Sequence, residues 1–511
     1  MGTNKVIALD GSSLTIEKLA AIVYENRPVH LTGTAVKKIE NAHKRVRKIL
    51  ESEQTVYGVN TGFGALSHVR IPSKKVKKLQ LNLVRSHTSG TGDPLPEPVV
   101  KAALVLLVNG ISNGYSGCRR VLVETLVEMI NKGVYPIIPS QGSLGASGDL
   151  IPLAHLAIVV VGEGEAIYRG TRYSGKMAMK KAGIPALTLE AKEGLSLING
   201  SYVMTALGSL ALRKAEILNK LADVAAATTL EATTGSKIPM NPEIHKIRPH
   251  PGQIATAANI RKLVEGSEII ASHKYCDRVQ DAYSLRCIPQ VHGAVKDAVR
   301  CCRSTLEIEM NSVTDNPLVF ENSVISAGNF HGQPLAISLD MLGIAMTGLA
   351  NIVERRIDRL MNPAMSGLPA FLSPNPGLNS GYMMAHYLAA SISFENRGLA
   401  TPGSIDSVPV SANKEDYNSN GMWCARKAWQ IVNNTEKIIA VELLCAVQAL
   451  DFIKGWKPGK GTRAAYDAIR QEVPKLKSDR IIQKDINAVI ELVQTGQILK
   501  AVEDAVGKLE N

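Results

Sequence analysis

The stretch Gly142-Ser143-Leu144-Gly145-Ala146-Ser147-Gly148-Asp149-Leu150 carries the most chemistry in this chain. An Ala-Ser-Gly tripeptide in a tight glycine-rich turn can rearrange into an electrophile. If the turn presses the Gly148 nitrogen onto the Ala146 carbonyl carbon, a ring closes with loss of water. Dehydration of Ser147 then leaves an exocyclic methylidene. Each residue type has its reason: Gly148 brings its nitrogen close without a Cβ clash, Ser147 carries the hydroxyl that is eliminated, and Ala146 fits inside the turn. The strain required is of the kind stored at functional sites. Gly, Ser and Asp are also ordinary turn residues, so the tripeptide alone does not separate this chemistry from a plain loop. A serine nucleophile on a strand-to-helix elbow is a weaker reading, because G-x-S-x-G needs glycine at position 149 and the chain has Asp149.

Other polar clusters give the turn company. In Gln280-Asp281-Ala282-Tyr283-Ser284-Leu285-Arg286-Cys287, residues Gln280, Tyr283 and Arg286 recur every third position, which on a helical turn puts three polar groups on one side. The planar fork of Arg286 is a natural clamp for a carboxylate, although an ordinary surface salt bridge would use the same residue. Asn199 stands between an apolar run and Gly200, placed to bond a ligand or to cap its own turn. His87 ends a helical run just before Thr88-Ser89-Gly90, where a histidine commonly caps the helix C-terminus. Glu415, in Ser411-Ala412-Asn413-Lys414-Glu415-Asp416, is either a solvated loop carboxylate or a partner for a hydrogen-bonding ligand. His245 and His250 flank a proline-containing loop with no third ligand at metal spacing, so no metal is expected.

These groups need a scaffold, and the periodicity supplies a helical one. Helical spacing is read at Thr34 to Gln54, Val99 to Gly110 and Arg119 to Lys132. The first leads into Tyr57-Gly58-Val59-Asn60-Thr61-Gly62-Phe63-Gly64, which lacks the Gly-Lys-Ser/Thr ending of a phosphate loop and reads instead as a shaped active-site lid. The segments Met204 to Thr233, His292 to Asn311, Leu335 to Leu360 and Cys424 to Leu450 are free of proline and apolar on a repeating face. The expected fold is therefore mainly α, an elongated helical bundle core with a loop-rich N-terminal active-site part. The boundary is placed near Val203, giving residues 1–203 with the electrophile turn and lid, and 204–511 with the long helices.

Composition sets outer bounds. The 511 residues, 45% hydrophobic but only 4% aromatic, suffice for a large core and favour helix packing over a β-sandwich. The N-terminus lacks a basic region followed by an apolar core, and the longest apolar runs, Ala102 to Val108 and Leu156 to Val161, are too short to span a bilayer. Neither a membrane nor an export role is expected. Seven cysteines without a C-x-x-C pair signal neither a disulfide framework nor structural zinc, which points to a reduced, cytoplasmic setting. The formal charge of +12 is spread over amphipathic segments without interleaved aromatics, so nucleic acid is not the expected partner. A basic funnel for a carboxylate-bearing substrate accommodates the same charge.

Taken together, Tyr57 to Gly64, Gly142 to Asp149, Asn199-Gly200, Gln280 to Cys287, Gly328-Asn329-Phe330-His331 and Ser411 to Asp416 resemble the motifs of the aromatic amino acid ammonia-lyases that use a methylidene-imidazolone, over nearly the whole chain. The resemblance implies a mainly helical homotetramer whose active sites each draw on three subunits. It also implies an electrophile made from Ala146, Ser147 and Gly148, with no external cofactor. Tyr57 resembles the base that removes the β-proton, for which its pKa must be lowered by nearby positive charge, and Arg286 resembles the carboxylate anchor. Asn199, Gln280, Tyr283 and Phe330 resemble site-lining residues, Tyr283 within the catalytic set and the other three against the substrate. His87 and Glu415 match the positions that recognise imidazole, and the Cys276 to Asp281 run is similar to the histidine-acting branch. The implied reaction is elimination of ammonia from L-histidine to give trans-urocanate. Tyr202, Ala282, Lys414 and the Tyr417-Asn418-Ser419-Asn420 run depart from that branch, which keeps a tyrosine or phenylalanine lyase, or an aminomutase, as the alternative. A catalytically inactive binding relative is disfavoured, since binding alone needs neither an electrophile nor a base.

Overall fold

The computed structural model describes residues 6–51, 55–274 and 279–511, among which helices dominate and every strand is short. Contacts divide the chain into two compact units. The first comprises Met1–Arg213, Arg303–Asp340 and Pro402–Arg426; the second comprises Lys214–Cys302, Met341–Thr401 and Lys427–Asn511.

The first unit is built around the helix Glu97–Ser112, in which every residue from Val99 to Ser112 is buried. Prolines set its start, where a missing N–H costs nothing, and the neighbouring helix Arg120–Lys132 stops at Gly133, left-handed at φ 73°. Small strand pairs surround these helices: Ile7–Leu9 lies parallel to Val29–Leu31, and Val134–Pro136, Glu165–Tyr168 and Thr171–Ser174 form an antiparallel sheet. The pair that matters for function is Thr91–Pro94 with Pro139–Gln141. The second of these strands delivers the chain into Gly142, and the buried helix Leu150–Val160 carries it away after Asp149. The electrophile turn is thus held between a paired strand and a core helix.

The second unit holds most of the long helices foreseen from the periodicity, found at Tyr202–Ala232, Ile288–Met310, Gln333–Met361 and Gly421–Leu450. Gln333–Met361 is the one described helix long and apolar enough to cross a bilayer by length and composition, although no unbroken apolar run marks it in the sequence. Its most apolar stretch is 61% buried within the protein, and Leu342, Met346, Leu349, Ala350, Val353 and Ile357 form a fully buried stripe at helical spacing. It packs as a core helix.

A connected polar chain runs through this helical core. Arg356 forks onto Glu442 and donates to His292 Nε2 at 3.1 Å, while His292 Nδ1 stands 2.8 Å from Asp223, which also receives Lys296 and Asn259. Arginine has only donors, so His292 Nε2 must accept and Nδ1–H must donate to Asp223. The ring is therefore held neutral, and burial drives its pKa down. Removing one member would leave a buried charge uncompensated.

Candidate active site

The turn at Ala146-Ser147-Gly148 is strained and cross-braced. Ser147 sits at φ 48° and Gly148 at φ 77°, both left-handed. A Cβ on Gly148 would stand 2.2 Å from the Gly200 carbonyl oxygen and 3.1 Å from that of Phe330, so only glycine fits. Gly148 N donates back to Gly145 O at 3.1 Å, Asp149 N donates to Gly200 O at 2.7 Å, and Gly200 N donates to Ser147 O at 3.3 Å. Asn420 N reaches Leu144 O at 2.8 Å from the other side. Contacts from sequence-distant segments impose the conformation, which is where such strain can persist.

Asp149 is the principal brace. Its Oδ2 accepts from Val203 N at 2.7 Å and Met204 N at 2.9 Å, occupying amides of the first turn of Tyr202–Ala232 that have no intrahelical partner. Its Oδ1 has no hydrogen-bond partner and is buried. Burial outweighs the two amide donors and, with the charge of Glu309, pushes the Asp149 pKa up to about 7.

Beside this turn opens a cavity of about 500 Å³ lined by Tyr57, Ser147, Leu195, Asn199, Asn316, Phe330, Lys414 and Glu415, among others. The lid loop is fixed beneath it: Val59 is fully buried in a cluster with Val46, Val76, Ala191 and Val319. Asn60 Oδ1 accepts from Val56 N at 2.8 Å, and the Thr61 hydroxyl donates to Gly62 O at 2.8 Å. Asn199 does not cap its own turn with its side chain. Its amide donates to Asn316 O at 3.0 Å and to Asp315 Oδ1 at 3.4 Å, and Asp315 in turn is paired with the buried Lys192 at 2.8 Å. Lys192 and Asp315 thereby fix a pocket residue from behind.

The expectation of a lowered Tyr57 pKa meets a different environment. Burial raises it, the backbone N–H of Gly64 opposes this, and Glu415 raises it further. The charge that acts on Tyr57 within this chain is negative.

A smaller cavity of about 270 Å³ lies against the same turn, lined by Ala146, Ser143, Leu150 and His87. His87 closes the helix Val76–His87, and its Nδ1 lies 2.9 Å from Leu83 O. A carbonyl only accepts, so Nδ1 carries the proton and Nε2 is left as an acceptor. Burial lowers the His87 pKa and raises that of Glu415, while each feels the other's charge in the opposite sense. Glu415 rides on a loop with three successive left-handed residues, Ser411, Ala412 and Asn413, at φ 54°, 52° and 62°. None is glycine, a conformation costing about 1–2 kcal/mol per residue. Two backbone bonds between Val410 and Glu415, at 3.0 and 3.3 Å, close the loop.

The first unit therefore gathers Tyr57, His87, Ala146, Ser147, Gly148, Asn199, Phe330 and Glu415 around one turn. Gln280, Tyr283 and Arg286 belong to the second unit and do not line either cavity. There the helix is a single turn, Tyr283–Arg286, preceded by an exposed, non-helical Gln280. The Arg286 guanidinium lies 4.6 Å over the Tyr283 ring, and its buried Nε has no hydrogen-bond partner. Residues 276–278 of the Cys276 to Asp281 run lie outside the described residues. His245 is structural: Nε2 approaches Pro239 O at 3.1 Å and Nδ1 approaches Gln253 Nε2 at 3.0 Å.

The model of the family described as aromatic amino acid lyase matches residues 14–471. This chain belongs to the aromatic amino acid lyase family. It is 49% identical over 504 residues to a histidine ammonia-lyase of Alkaliphilus oremlandii, covering 98% of this chain and 99% of that one. Among solved structures of the family, the histidine ammonia-lyase of Trypanosoma cruzi superposes with a TM-score of 0.91 at 41% identity, covering 98% of this chain and 96% of that one. A tyrosine aminomutase from Streptomyces globisporus gives a TM-score of 0.93 at 37% identity, with 99% and 100% covered. The helical fold is shared throughout, so within this family the pocket residues have to distinguish the substrates.

The departures from the histidine-acting pattern fall in different places. Lys414 lines the larger cavity. Tyr417 stacks on His331 with ring centroids 6.0 Å apart. Tyr202 lines neither cavity: it is buried against Gly200 and Gly110. The braces Asp149, Asp315 and Lys192 were not singled out from the sequence. For Asp149 the available signal is its position one residue after the turn.

Proposed function

We propose that this protein eliminates ammonia from L-histidine to give trans-urocanate. The observation that carries the reading is the convergence of Tyr57, Ser147 and Glu415 on one cavity, in a chain 49% identical over nearly its full length to a protein named histidine ammonia-lyase. A Glu facing the pocket can accept a hydrogen bond from an imidazole N–H, whereas opposite a phenyl ring it would be an unpaired, half-buried charge.

The residues present fit a methylidene-imidazolone derived from Ala146, Ser147 and Gly148. Ser147 and Gly148 are already left-handed, and the Gly148 Cα has no space for a side chain. Such a group supplies an electrophilic carbon that turns the substrate's amine into a leaving group.

The chain's own groups then divide the remaining work. Tyr57 takes the proton from the substrate β-carbon, Glu415 and His87 orient the imidazole, and Asn199 and Phe330 shape the wall. Arg286 holds the carboxylate, with Gln280 and Tyr283 beside it, and the latter belongs to the catalytic set. Because these three lie outside the cavity-bearing unit, the proposal includes a homotetramer in which other copies supply them. The positive charge of Arg286 would also provide the lowering of the Tyr57 pKa that the chain's own surroundings oppose. A cytoplasmic location is part of the same reading, supported by Cys118, Cys287, Cys301 and Cys445, which form no disulfide. No external cofactor, nucleic acid or membrane enters it.

The test is an ultraviolet assay with L-histidine, L-tyrosine and L-phenylalanine supplied separately, following the conjugated acid and released ammonia. Urocanate from histidine alone is the expected result. Coumarate or cinnamate would overturn the substrate, and a β-amino acid without free ammonia would indicate an aminomutase.

A further inference from the structure

The loop that carries Glu415 is tied at both ends and strained in the middle. Asn418 Nδ2 donates to Val408 O at 2.6 Å and to Glu415 O at 3.2 Å, and Asn418 N donates to the Ser407 hydroxyl at 2.6 Å. Inside these ties the backbone turns left-handed from Ser411 to Asn413, and Lys414 N closes onto Ser411 O at 3.0 Å. The turn brings the Ser411 hydroxyl beside the Glu415 carboxylate, whose pKa it lowers. Both groups crowd the same point of the lid: a Cβ built on Gly64 would lie 2.9 Å from Ser411 Oγ and 3.7 Å from Glu415 Oε1. The backbone N–H of Gly64 is also what lowers the Tyr57 pKa against burial. One short side chain therefore stands where the lid, the Glu415 loop and the base meet.

We propose that Ser411 is the positioning residue for Glu415, its hydroxyl aiming the carboxylate at the substrate ring against the glycine face of the lid. The inference rests on the reading of Glu415 as the imidazole partner. A left-handed turn at three non-glycine residues has a structural cost that a plain connecting loop would avoid. What the conformation achieves here is to return the Ser411 side chain toward a carboxylate four residues later. Half-buried Glu415 would otherwise choose among rotamers. An O–H donor to one oxygen fixes the carboxylate plane and leaves the other oxygen for the ligand.

The same hydroxyl favours the charged form of Glu415, opposing the effect of burial. The titratable and charged groups around Glu415 are His87 at the end of Val76–His87, Tyr57 of the lid, and Lys414 of its own loop. Deleting the Ser411 hydroxyl raises the Glu415 pKa, so the ionised carboxylate is lost at a higher pH. The acid limb of kcat/KM for L-histidine must then move upward in pH.

The experiment compares Ser411→Ala and Ser411→Gly with the parent enzyme, each alone and combined with Glu415→Gln. Glycine favours the left-handed backbone and removes only the hydroxyl, so it separates the side chain from loop folding. Expected is a loss of about tenfold in kcat/KM for both single variants, the value of one charge-assisted hydrogen bond. The thermal midpoint of Ser411→Gly should not fall, and the acid limb should shift upward in both. In the Glu415→Gln background, neither Ser411 variant should move the acid limb. A Ser411→Gly enzyme with parental kcat/KM and acid limb overturns the inference, as does a shift that persists in Glu415→Gln. Parental kcat/KM in Glu415→Gln itself would instead overturn the reading of Glu415, which distinguishes the two failures.

Discussion

Gly148 and Gly200 face each other so closely that a Cβ on Gly148 would meet the Gly200 carbonyl oxygen at 2.2 Å, and the two backbones pair as an isolated parallel bridge. The bridge carries the geometry of the turn, since Gly200 bonds both Asp149 N and Ser147 O. A Cβ on Gly200 would itself lie 2.7 Å from Thr314 Oγ1 and 2.7 Å from the Tyr202 ring. Gly200→Ala is expected to give a folded protein without the methylidene absorbance and with turnover reduced at least a hundredfold, because about 3 kcal/mol of misplacement is enough for that loss. A difference spectrum against the parent protein checks it.

Asp149 links the turn to the first amides of Tyr202–Ala232, so Asp149→Ala should cost about 2–3 kcal/mol in unfolding free energy by leaving two buried N–H groups unpaired. Asp149→Asn keeps an acceptor oxygen and should cost less. The pH dependence has a definite sign. The folded pKa of about 7 exceeds the ordinary value of 3.8. The contribution of Asp149 is therefore fully present below about pH 4 and is lost as pH rises through 7. Denaturant titrations across that window should show a downward slope in the parent that is reduced in Asp149→Asn.

Tyr57→Phe should fold normally and lose most turnover, because the ring still fills its place between the lid and the cavity while the proton acceptor is gone. Equilibrium binding of a substrate analogue should change little. Near-parental activity would remove Tyr57 from the mechanism.

Burial and the charge of Glu415 both raise the Tyr57 pKa, so the fraction of phenolate, and with it kcat/KM, should climb with pH above neutrality. Glu415→Gln removes the negative neighbour. It should move that basic rise to lower pH even as it weakens histidine use, and pH profiles of the two proteins test both effects.

If Tyr57 and Arg286 act in one site but come from different copies, two dead variants should complement each other. Co-expression of Tyr57→Phe with Arg286→Ala should restore activity at roughly a quarter of sites, as expected for random mixing of two chains in a symmetric oligomer. Mixtures as inactive as the separate variants would mean that the two residues act in one and the same chain.

The helical fold was legible in the sequence because its signal is periodic. Four long apolar faces predicted helices within a few residues of their observed bounds, and Gly133 and Pro98 mark helix ends in the expected way. The short strands were not legible: pairs such as Thr91–Pro94 with Pro139–Gln141 contain proline and glycine, and tertiary pairing rather than β-propensity forms them. The polar candidates were visible as residue types in unusual company. Their braces were not, because Asp149 to Val203, Lys192 to Asp315 and Ser411 to Glu415 become pairs only after the chain has folded. The surroundings of Tyr57 within one chain were not legible for a related reason, since a negative neighbour from position 415 has no signature near position 57.

The segments that clamp the Ala-Ser-Gly turn come from near residues 200, 330 and 420, far apart along the chain. A nascent or misfolded copy cannot assemble that clamp, so it has no means of forcing Gly148 toward Ala146. The proposed ring closure would thus act as a quality seal: only a chain that has brought its distant parts together arms itself, and a copy that fails carries ordinary serine in place of a group open to attack by cellular thiols and amines.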